Sequence, residues 1–160
     1  AWQGTMKKSS RAFLWTLFAL YCAVMLWLLF HRASRLTYMP YWDTVRANLN
    51  LVPFRTMRLF WDSYSFMPRA AMINLAGNVA VFIPLGLFLP CLWKNQQRLW
   101  LFALTVVLAV AAVEVTQLFT FTGSCDVDDL ILNLAGSLMG FGIFSIPAVK
   151  RGLTEKGFSK

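Results

Sequence analysis

Four apolar runs dominate the sequence, and each is close to the length that a helix needs to cross a membrane. They are Ala12–Phe30, Met72–Trp93, Leu99–Phe119 and Leu130–Val149. A membrane helix takes about 20 residues to cross about 30 Å of hydrocarbon. The runs lack the two-residue alternation of a membrane β-barrel. We therefore predict an all-α polytopic membrane protein with four transmembrane helices, numbered here as spans one to four.

The composition agrees with this class and limits the kinds of binding partner that we expect. Hydrophobic residues make up 58% of the chain and charged residues 14%, against about 25% charged residues in soluble domains. A net charge of +8 would suggest nucleic acid binding in a soluble protein. Here the basic residues are explained as anchors beside the spans and as contacts to anionic lipid, so we expect no nucleic acid partner. The three cysteines fit neither a disulfide framework nor a zinc-site spacing.

The basic residues also predict the orientation in the membrane. They cluster before span one (Lys7–Arg11), between spans two and three (Lys94–Arg98) and after span four (Lys150–Lys160). Four spans put these three segments on one side, and basic loops favour the cytoplasm. Both termini are therefore expected to be cytoplasmic.

The chain is expected to form a single domain. Residues 1–5 precede Met6 and are expected to be a cloning remnant, residues 6–149 form the transmembrane domain, and residues 150–160 form a basic cytoplasmic tail. Span one follows basic residues as a signal peptide would. It is long enough to cross the membrane and no small-residue cleavage site follows it, so we expect it to be retained.

The link between spans one and two contains an amphipathic part, Leu49–Met67, that mixes aromatic residues with arginines. This composition favours a helix or loop lying in the headgroup plane. Arg55 and Arg58 are candidates for binding a phosphate, because the guanidinium group can bind two oxygens at once. The alternative is that both arginines are solvated among headgroups.

Polar residues gather at those ends of spans two, three and four that the predicted orientation places near the outer leaflet. Their burial in hydrocarbon is costly, about 2.5–3.5 kcal/mol for a central charge on insertion scales. Within each span they lie three or four residues apart, on one helical face. We therefore predict a polar pocket between the three helices. The candidate residues are Asn74, Asn78, Glu114, Gln117, Asp126, Asp128, Asp129 and Asn133.

These side chains have structural as well as functional interpretations. The four amides either join helices by hydrogen bonds or contact a ligand. Glu114 is either neutral, paired with an arginine, or functional, as a candidate acid/base. Asp126 or Asp128 could cap the fourth helix, whereas Asp126, Asp128 and Asp129 together could hold a divalent cation.

Small residues predict where helices approach each other. Gly136 and Gly140 form a GxxxG pattern in span four, which allows another helix to pack closely. Gly77 is expected to serve span two in the same way.

Three blocks of the sequence resemble the VanZ-like family of membrane proteins. The first is Asn50-Leu-Val-Pro-Phe54, and the second runs from Asn74 to Gly86 with its Phe-x-Pro-x-Gly ending. The third joins Glu114-x-x-Gln117, Asp126-Val-Asp-Asp and Asn133-x-x-Gly. The chain departs from the family pattern in the turn before Asp126, which carries no arginine. If the family's arginine makes an ion-pair or phosphate contact, Arg55, Arg58 or Arg69 would have to make that contact here.

The resemblance implies a link to resistance against lipoglycopeptides such as teicoplanin, in the cytoplasmic membrane of a Gram-positive bacterium. It implies no reaction, so two functions stay open. In the first, the pocket binds a membrane lipid, a lipid-linked cell-wall intermediate or the drug itself. In the second, the protein is an enzyme that transfers a phosphoryl or acyl group on a lipid-linked substrate, with Glu114 as acid/base and a divalent cation as its possible cofactor.

Overall fold

A computed structural model describes residues 8–31, 40–62 and 68–153 of the protein, and within these ranges the side chains of residues 8–10, 60, 68–72 and 74 are not described. The elements, in chain order, are α1 (Lys8–Phe30), α2 (Tyr41–Ala47), β1 (Leu49–Asn50), α3 (Arg55–Asp62), α4 (Pro68–Leu92), α5 (Leu99–Thr120), β2 (Cys125–Asp126), α6 (Val127–Ser145) and α7 (Pro147–Arg151). A short 3-10 helix, Lys94–Gln97, joins α4 to α5.

The predicted four-helix membrane fold is confirmed. In the described ranges, α1, α4, α5 and α6 are long and apolar enough to cross a membrane. Pro84 and Pro90 do not interrupt α4, which continues through both.

The predicted bounds of span four need correction at both ends. Helix α6 begins at Val127, because Asp126 caps it, and it ends at Ser145. Ile146 is extended, as expected of a residue that precedes a proline. The five residues of α7 then include the beginning of the predicted basic tail, and residues 154–160 of that tail lie outside the described residues.

Helices α4 and α6 form the closest pair in the bundle, and glycines make this possible. A Cβ atom added at Gly136 would collide with the carbonyl oxygen of Val79, and one at Gly140 with that of Ile83. The partner glycine on α4 is Gly86, whose added Cβ would collide with the backbone of α6. The GxxxG prediction is therefore confirmed. The prediction for Gly77 is wrong, because in the described structure nothing lies within 4 Å of a Cβ added there.

Helix α5 completes the core on the other side of this pair. Phe102, Val106 and Val110 follow each other at four-residue spacing along one face of α5, and all three are buried. They pack with Phe82 of α4 and with other apolar side chains of α4 and α1. The opposite face of α5 exposes large apolar residues, as expected of a helix that faces lipid.

Helix α1 packs against α4 through aromatic rings at one end of the bundle. The ring of Trp15 lies 4.9 Å from that of Trp93, and Phe18 lies 5.6 Å from Phe88. Farther along α1, the hydroxyl group of Tyr21 donates a hydrogen bond of 2.9 Å to the carbonyl oxygen of Val81. Each ring buries a large apolar area, so these contacts fix α1 on the bundle.

The segment between α1 and α4 contains more regular structure than the sequence predicted. Helix α3 is the amphipathic helix expected within Leu49–Met67, although residues 63–67 lie outside the described residues. Helix α2 was not predicted. The parallel pairing of β1 with β2 was not predicted either; it joins Leu49 to Cys125 and Asn50 to Asp126. This pairing ties the segment to the turn before α6.

Replacing Gly136 with alanine is expected to destabilise the bundle, because the new methyl group would collide with the Val79 carbonyl oxygen. Overpacking of this kind typically costs about 1–3 kcal/mol. Thermal unfolding of the purified protein in detergent should show a lower midpoint. Gly142→Ala is the matched control on the same helix, since a Cβ there meets nothing within 4 Å in the described structure. Equal midpoints for the two variants would contradict the assignment of the contact.

Candidate functional site

Asp126 lies at the junction of β2 and α6, and its carboxylate joins three parts of the chain. It caps α6 by accepting a hydrogen bond of 2.9 Å from the backbone N–H of Asp128. It also accepts from the side-chain amide of Asn50, at 3.0 Å, and from the hydroxyl group of Thr56. The side chain is buried, and its hydrogen-bonding capacity is used within the protein.

Asp128 is fully buried and binds the backbone of the segment before α4. Its carboxylate accepts hydrogen bonds from the N–H groups of Phe54, Thr56 and Met57, the last two at 2.7 and 3.1 Å. These groups belong to the beginning of α3, where N–H groups have no partner within the helix. A negative charge is also favoured at a helix N-terminus. Asp128 therefore caps α3 from a different helix.

The backbone of Phe54 is held in a left-handed conformation, with φ of 64°. Such a conformation costs about 1–3 kcal/mol for a residue other than glycine. Charge-assisted hydrogen bonds to Asp128 offset this cost, because they are stronger than neutral ones. The strained residue thus lies where a buried carboxylate holds the chain.

The predicted grouping of Asp126, Asp128 and Asp129 around a cation is not supported by the described residues. The first two carboxylates point at N–H and O–H donors of the segment 50–57, whereas Asp129 faces a cavity on another side of α6. Successive residues of a helix point about 100° apart, which separates Asp128 from Asp129. Among described residues, no group of three or more histidine, cysteine or acidic side chains is placed to hold a metal ion.

The other predicted polar residues whose side chains are described do meet. They line a cavity of about 550 Å³ at one end of the bundle, between α1, α4, α5 and α6. The polar side chains that line it are Asn78, Glu114, Gln117, Ser124, Asp129 and Asn133, and the apolar ones are Leu28, Leu29, Ile73, Val81 and Phe82. The cavity is therefore amphipathic, with a polar and an apolar wall.

Hydrogen bonds hold most of the polar wall in place. The amide of Asn78 donates to the carboxylate of Asp129. The carboxylate of Glu114 accepts from the backbone N–H of Asp126 at 3.1 Å. The amide of Gln117 donates at 2.7 Å to the carbonyl oxygen of Leu29, one of the last carbonyls of α1, which have no partner within that helix.

Asn133 differs from its neighbours in the cavity. The residue is 4% exposed, and its side-chain amide oxygen, Oδ1, has no hydrogen-bond partner among the described residues. A buried polar atom without a partner costs about 1–3 kcal/mol. The side chain therefore presents a free acceptor at the cavity wall.

Four predicted contact residues are absent from this cavity or cannot be placed in it. The side chains of Arg55 and Arg58 are exposed on α3 and do not belong to the cavity lining. The side chains of Asn74 and Arg69 lie outside the described part of the structure. The predicted arginine contact to a ligand thus stays a prediction for Arg69 and is not supported for the other two.

Sequence reasoning missed several residues that shape the site. Asn50 and Thr56 bind Asp126, and Leu28 and Leu29 bring α1 into the cavity wall. Asn50 could have been found, because it opens the first of the three family blocks. The sequence around Leu28 is uniformly apolar, so it carried no signal.

Cys125 lies beside this network, between α5 and α6. Burial raises the pKa of its thiol, and the negative charges of Glu114 and Asp126 raise the pKa further. The thiol is consequently a poor nucleophile near neutral pH, and it reports on the charge of its neighbours.

The comparisons with known proteins agree with the three sequence blocks. The family model VanZ/LLP1 matches residues 18–148. Protein VanZ of Enterococcus faecium is 28% identical over 130 residues, which cover 81% of this chain and 72% of that protein. No solved structure matches the chain.

Replacing Asp128 with alanine is expected to release the beginning of α3, because three backbone N–H groups lose their acceptor. Hydrogen exchange followed by mass spectrometry should become much faster in the peptide that covers Phe54–Met57. Asp43→Asn, an exposed acid on α2, is the control and should leave that peptide protected. If the alanine variant does not fold, Asp128→Asn keeps one acceptor oxygen and should show a smaller increase. Unchanged exchange in a folded variant would contradict the capping role.

Alkylation of Cys125 should be slow at pH 8 and should rise only at higher pH, because a raised pKa lowers the thiolate fraction at any given pH. Glu114→Gln removes one of the negative charges that raise this pKa, so alkylation at pH 8 should become faster. Peptide mass spectrometry measures the rate at Cys125, with Cys91 near the far end of α4 as internal reference. An equal or slower rate at Cys125 in the variant would show that Glu114 does not act on the thiol.

Proposed function

The chain belongs to the VanZ/LLP1 family, and from this premise we propose that it contributes to resistance against lipoglycopeptides such as teicoplanin by binding an envelope lipid in its amphipathic cavity. Occupying or sequestering such a lipid would change what the drug meets at the cell surface. The single observation that carries the proposal is the cavity itself, whose polar and apolar walls lie side by side between membrane helices.

The form of the cavity supports a ligand with both a headgroup and a hydrocarbon part. Pockets that bind small molecules are mostly apolar with a few placed polar groups. Here the polar side chains come from α4, α5, α6 and the turn between α5 and α6, and the apolar side chains come from α1 and α4. A volume of about 550 Å³ suits a headgroup with the first part of an acyl chain, rather than a whole glycopeptide.

We propose that the cavity lies on the outer side of the cytoplasmic membrane. The support comes from the basic residues Lys94 and Arg98 between α4 and α5 and from Lys150 and Arg151 in α7, which lie at the opposite end of the bundle. The positive-inside rule puts that end, and both termini, in the cytoplasm. The cavity would then open where glycopeptides and their targets meet.

Asn133 is the residue that a ligand would engage most directly. Its side-chain amide oxygen, Oδ1, is buried at the cavity wall without a partner in the described structure. A hydroxyl or amine group of a lipid headgroup would satisfy it. Binding of such a group would remove the free-energy cost of a buried acceptor without a partner.

Replacing Asn133 with leucine is expected to separate stability from function. The change keeps the branched shape of the side chain and removes a polar atom without a partner. The unfolding midpoint in detergent should therefore stay equal or rise, with a gain in the free energy of unfolding of at most about 1–3 kcal/mol. The teicoplanin concentration that inhibits a susceptible host expressing the variant should fall to that of the host alone. Asn95→Leu, an exposed asparagine at the other end of the bundle, is the control and should keep full resistance.

Resistance unchanged in a well-expressed Asn133→Leu variant would overturn the proposal. Lipid extracts of the same cells, analysed by mass spectrometry, distinguish the second function. A new lipid product that disappears with Glu114→Gln would favour a membrane enzyme over a binding protein.

A further inference from the structure

We infer that the ligand of this cavity is a membrane lipid that reaches it sideways, through a gap between α1 and α4, and that its acyl chain occupies this gap. The inference rests on the proposed lipid-binding function and deepens it. It names the source of the ligand, the surrounding leaflet, and the part of the protein that admits it.

The gap begins where the close contact between α1 and α4 ends. Toward one end of the bundle the two helices are joined by the aromatic rings of Trp15, Phe18, Phe88 and Trp93. The hydrogen bond from Tyr21 to the carbonyl oxygen of Val81 lies closest to the cavity among these contacts. One turn farther along α1, Met25 is still buried in the core cluster that includes Phe82 of α4. Val81 itself lines the cavity, so the gap lies beyond Met25 and Val81.

Beyond Val81, the face of α4 toward the cavity is open. Gly77 lies one turn farther, and a Cβ added there would meet nothing within 4 Å in the described structure. Ile73, one more turn along, is 73% exposed although it lines the cavity. On α1, Leu28 also lines the cavity and is 45% exposed. The opening between Ile73 and Val81 is about 12 Å long, at 1.5 Å per residue.

The other described sides of the cavity are closed by specific contacts. Gly136 and Gly140 bring α6 against the backbone of α4, and the hydrogen bond from Gln117 to Leu29 joins α5 to the end of α1. Among the described residues, the α1–α4 side is therefore the one where lining residues are also exposed.

The position of the gap identifies its occupant. Helices α1 and α4 both cross the membrane, so an opening between them faces acyl chains rather than water. The apolar side chains Leu28, Ile73 and Val81 line it, and the polar wall with Asn133 lies farther in. A lipid in the leaflet can therefore insert its headgroup toward Asn133 while its chain stays in the gap. A water-borne ligand would need no such opening.

A bulky residue in the gap tests this inference. Gly77→Trp should block the opening, and Gly142→Trp is the matched control, since a Cβ at Gly142 also meets nothing within 4 Å in the described structure. The probe is phosphatidylglycerol with a diazirine near the headgroup end of one acyl chain, in vesicles that contain the full protein. After illumination, mass spectrometry reads the label on Phe82 and Asn133, which are buried inside the cavity. We expect a several-fold loss of this label in Gly77→Trp and none in the control.

The outcomes distinguish the gap from the cavity. Loss of the label on Phe82 in Asn133→Leu, with no loss in Gly77→Trp, would overturn the sideways path and leave the proposed function standing. Label unchanged in both variants would overturn both. If Gly77→Trp does not fold, Ile73→Trp places the same ring at an exposed position of the same opening, and it should lower the label equally. A water-soluble headgroup analogue should not prevent labelling. If the analogue prevents labelling equally in the unchanged protein and in both tryptophan variants, the ligand comes from the aqueous phase and the inference is overturned.

Discussion

The carboxylate of Asp128 accepts hydrogen bonds from three backbone N–H groups of the segment between the first two membrane helices. The geometry of the site depends on this contact. A buried N–H group without an acceptor is costly. The contact therefore fixes where α3 begins and keeps Phe54 in its left-handed conformation. Asp126 secures the same segment through Asn50 and Thr56 while it caps α6. Two neighbouring acids thus join α3 to a membrane helix.

The acidic stretch before and within α6 therefore divides into two functions. The carboxylates of Asp126 and Asp128 face the segment 50–57 and accept hydrogen bonds from its donors. Asp129 and Asn133, four residues apart on α6, face the cavity with Asn78 and Glu114. The hydrogen bond from the Asp126 backbone to Glu114 connects the two groups. A substitution of Glu114 would consequently also alter the turn that contains β2 and Cys125.

Close packing in one part of the bundle leaves space in another. Gly86 lies against the backbone of α6, whereas Gly77, nine residues earlier on the same helix, has open space beside it. The glycine contacts hold α4 against α6 from Val79 to Gly86. The open face of α4 at Gly77 borders the cavity, which side chains of α1 help to line. The membrane protein thus combines a close glycine contact with an open amphipathic cavity.

The sequence by itself determined the four spans, because hydrophobic length is a local property that a run of residues carries without its neighbours. It also determined that the polar residues of spans two, three and four lie at one end, since successive spans alternate in direction. Only the tertiary structure decided which acids face the cavity, because a rotation of about 100° per residue separates Asp128 from Asp129. The partners of Asp128 lie more than seventy residues away, and no local pattern announces them. Only the tertiary structure likewise decided that Gly86, and not Gly77, contacts α6, and that Gln117 binds the carbonyl oxygen of Leu29. The rotation of each helix and the distances between helices are set by packing of the whole bundle.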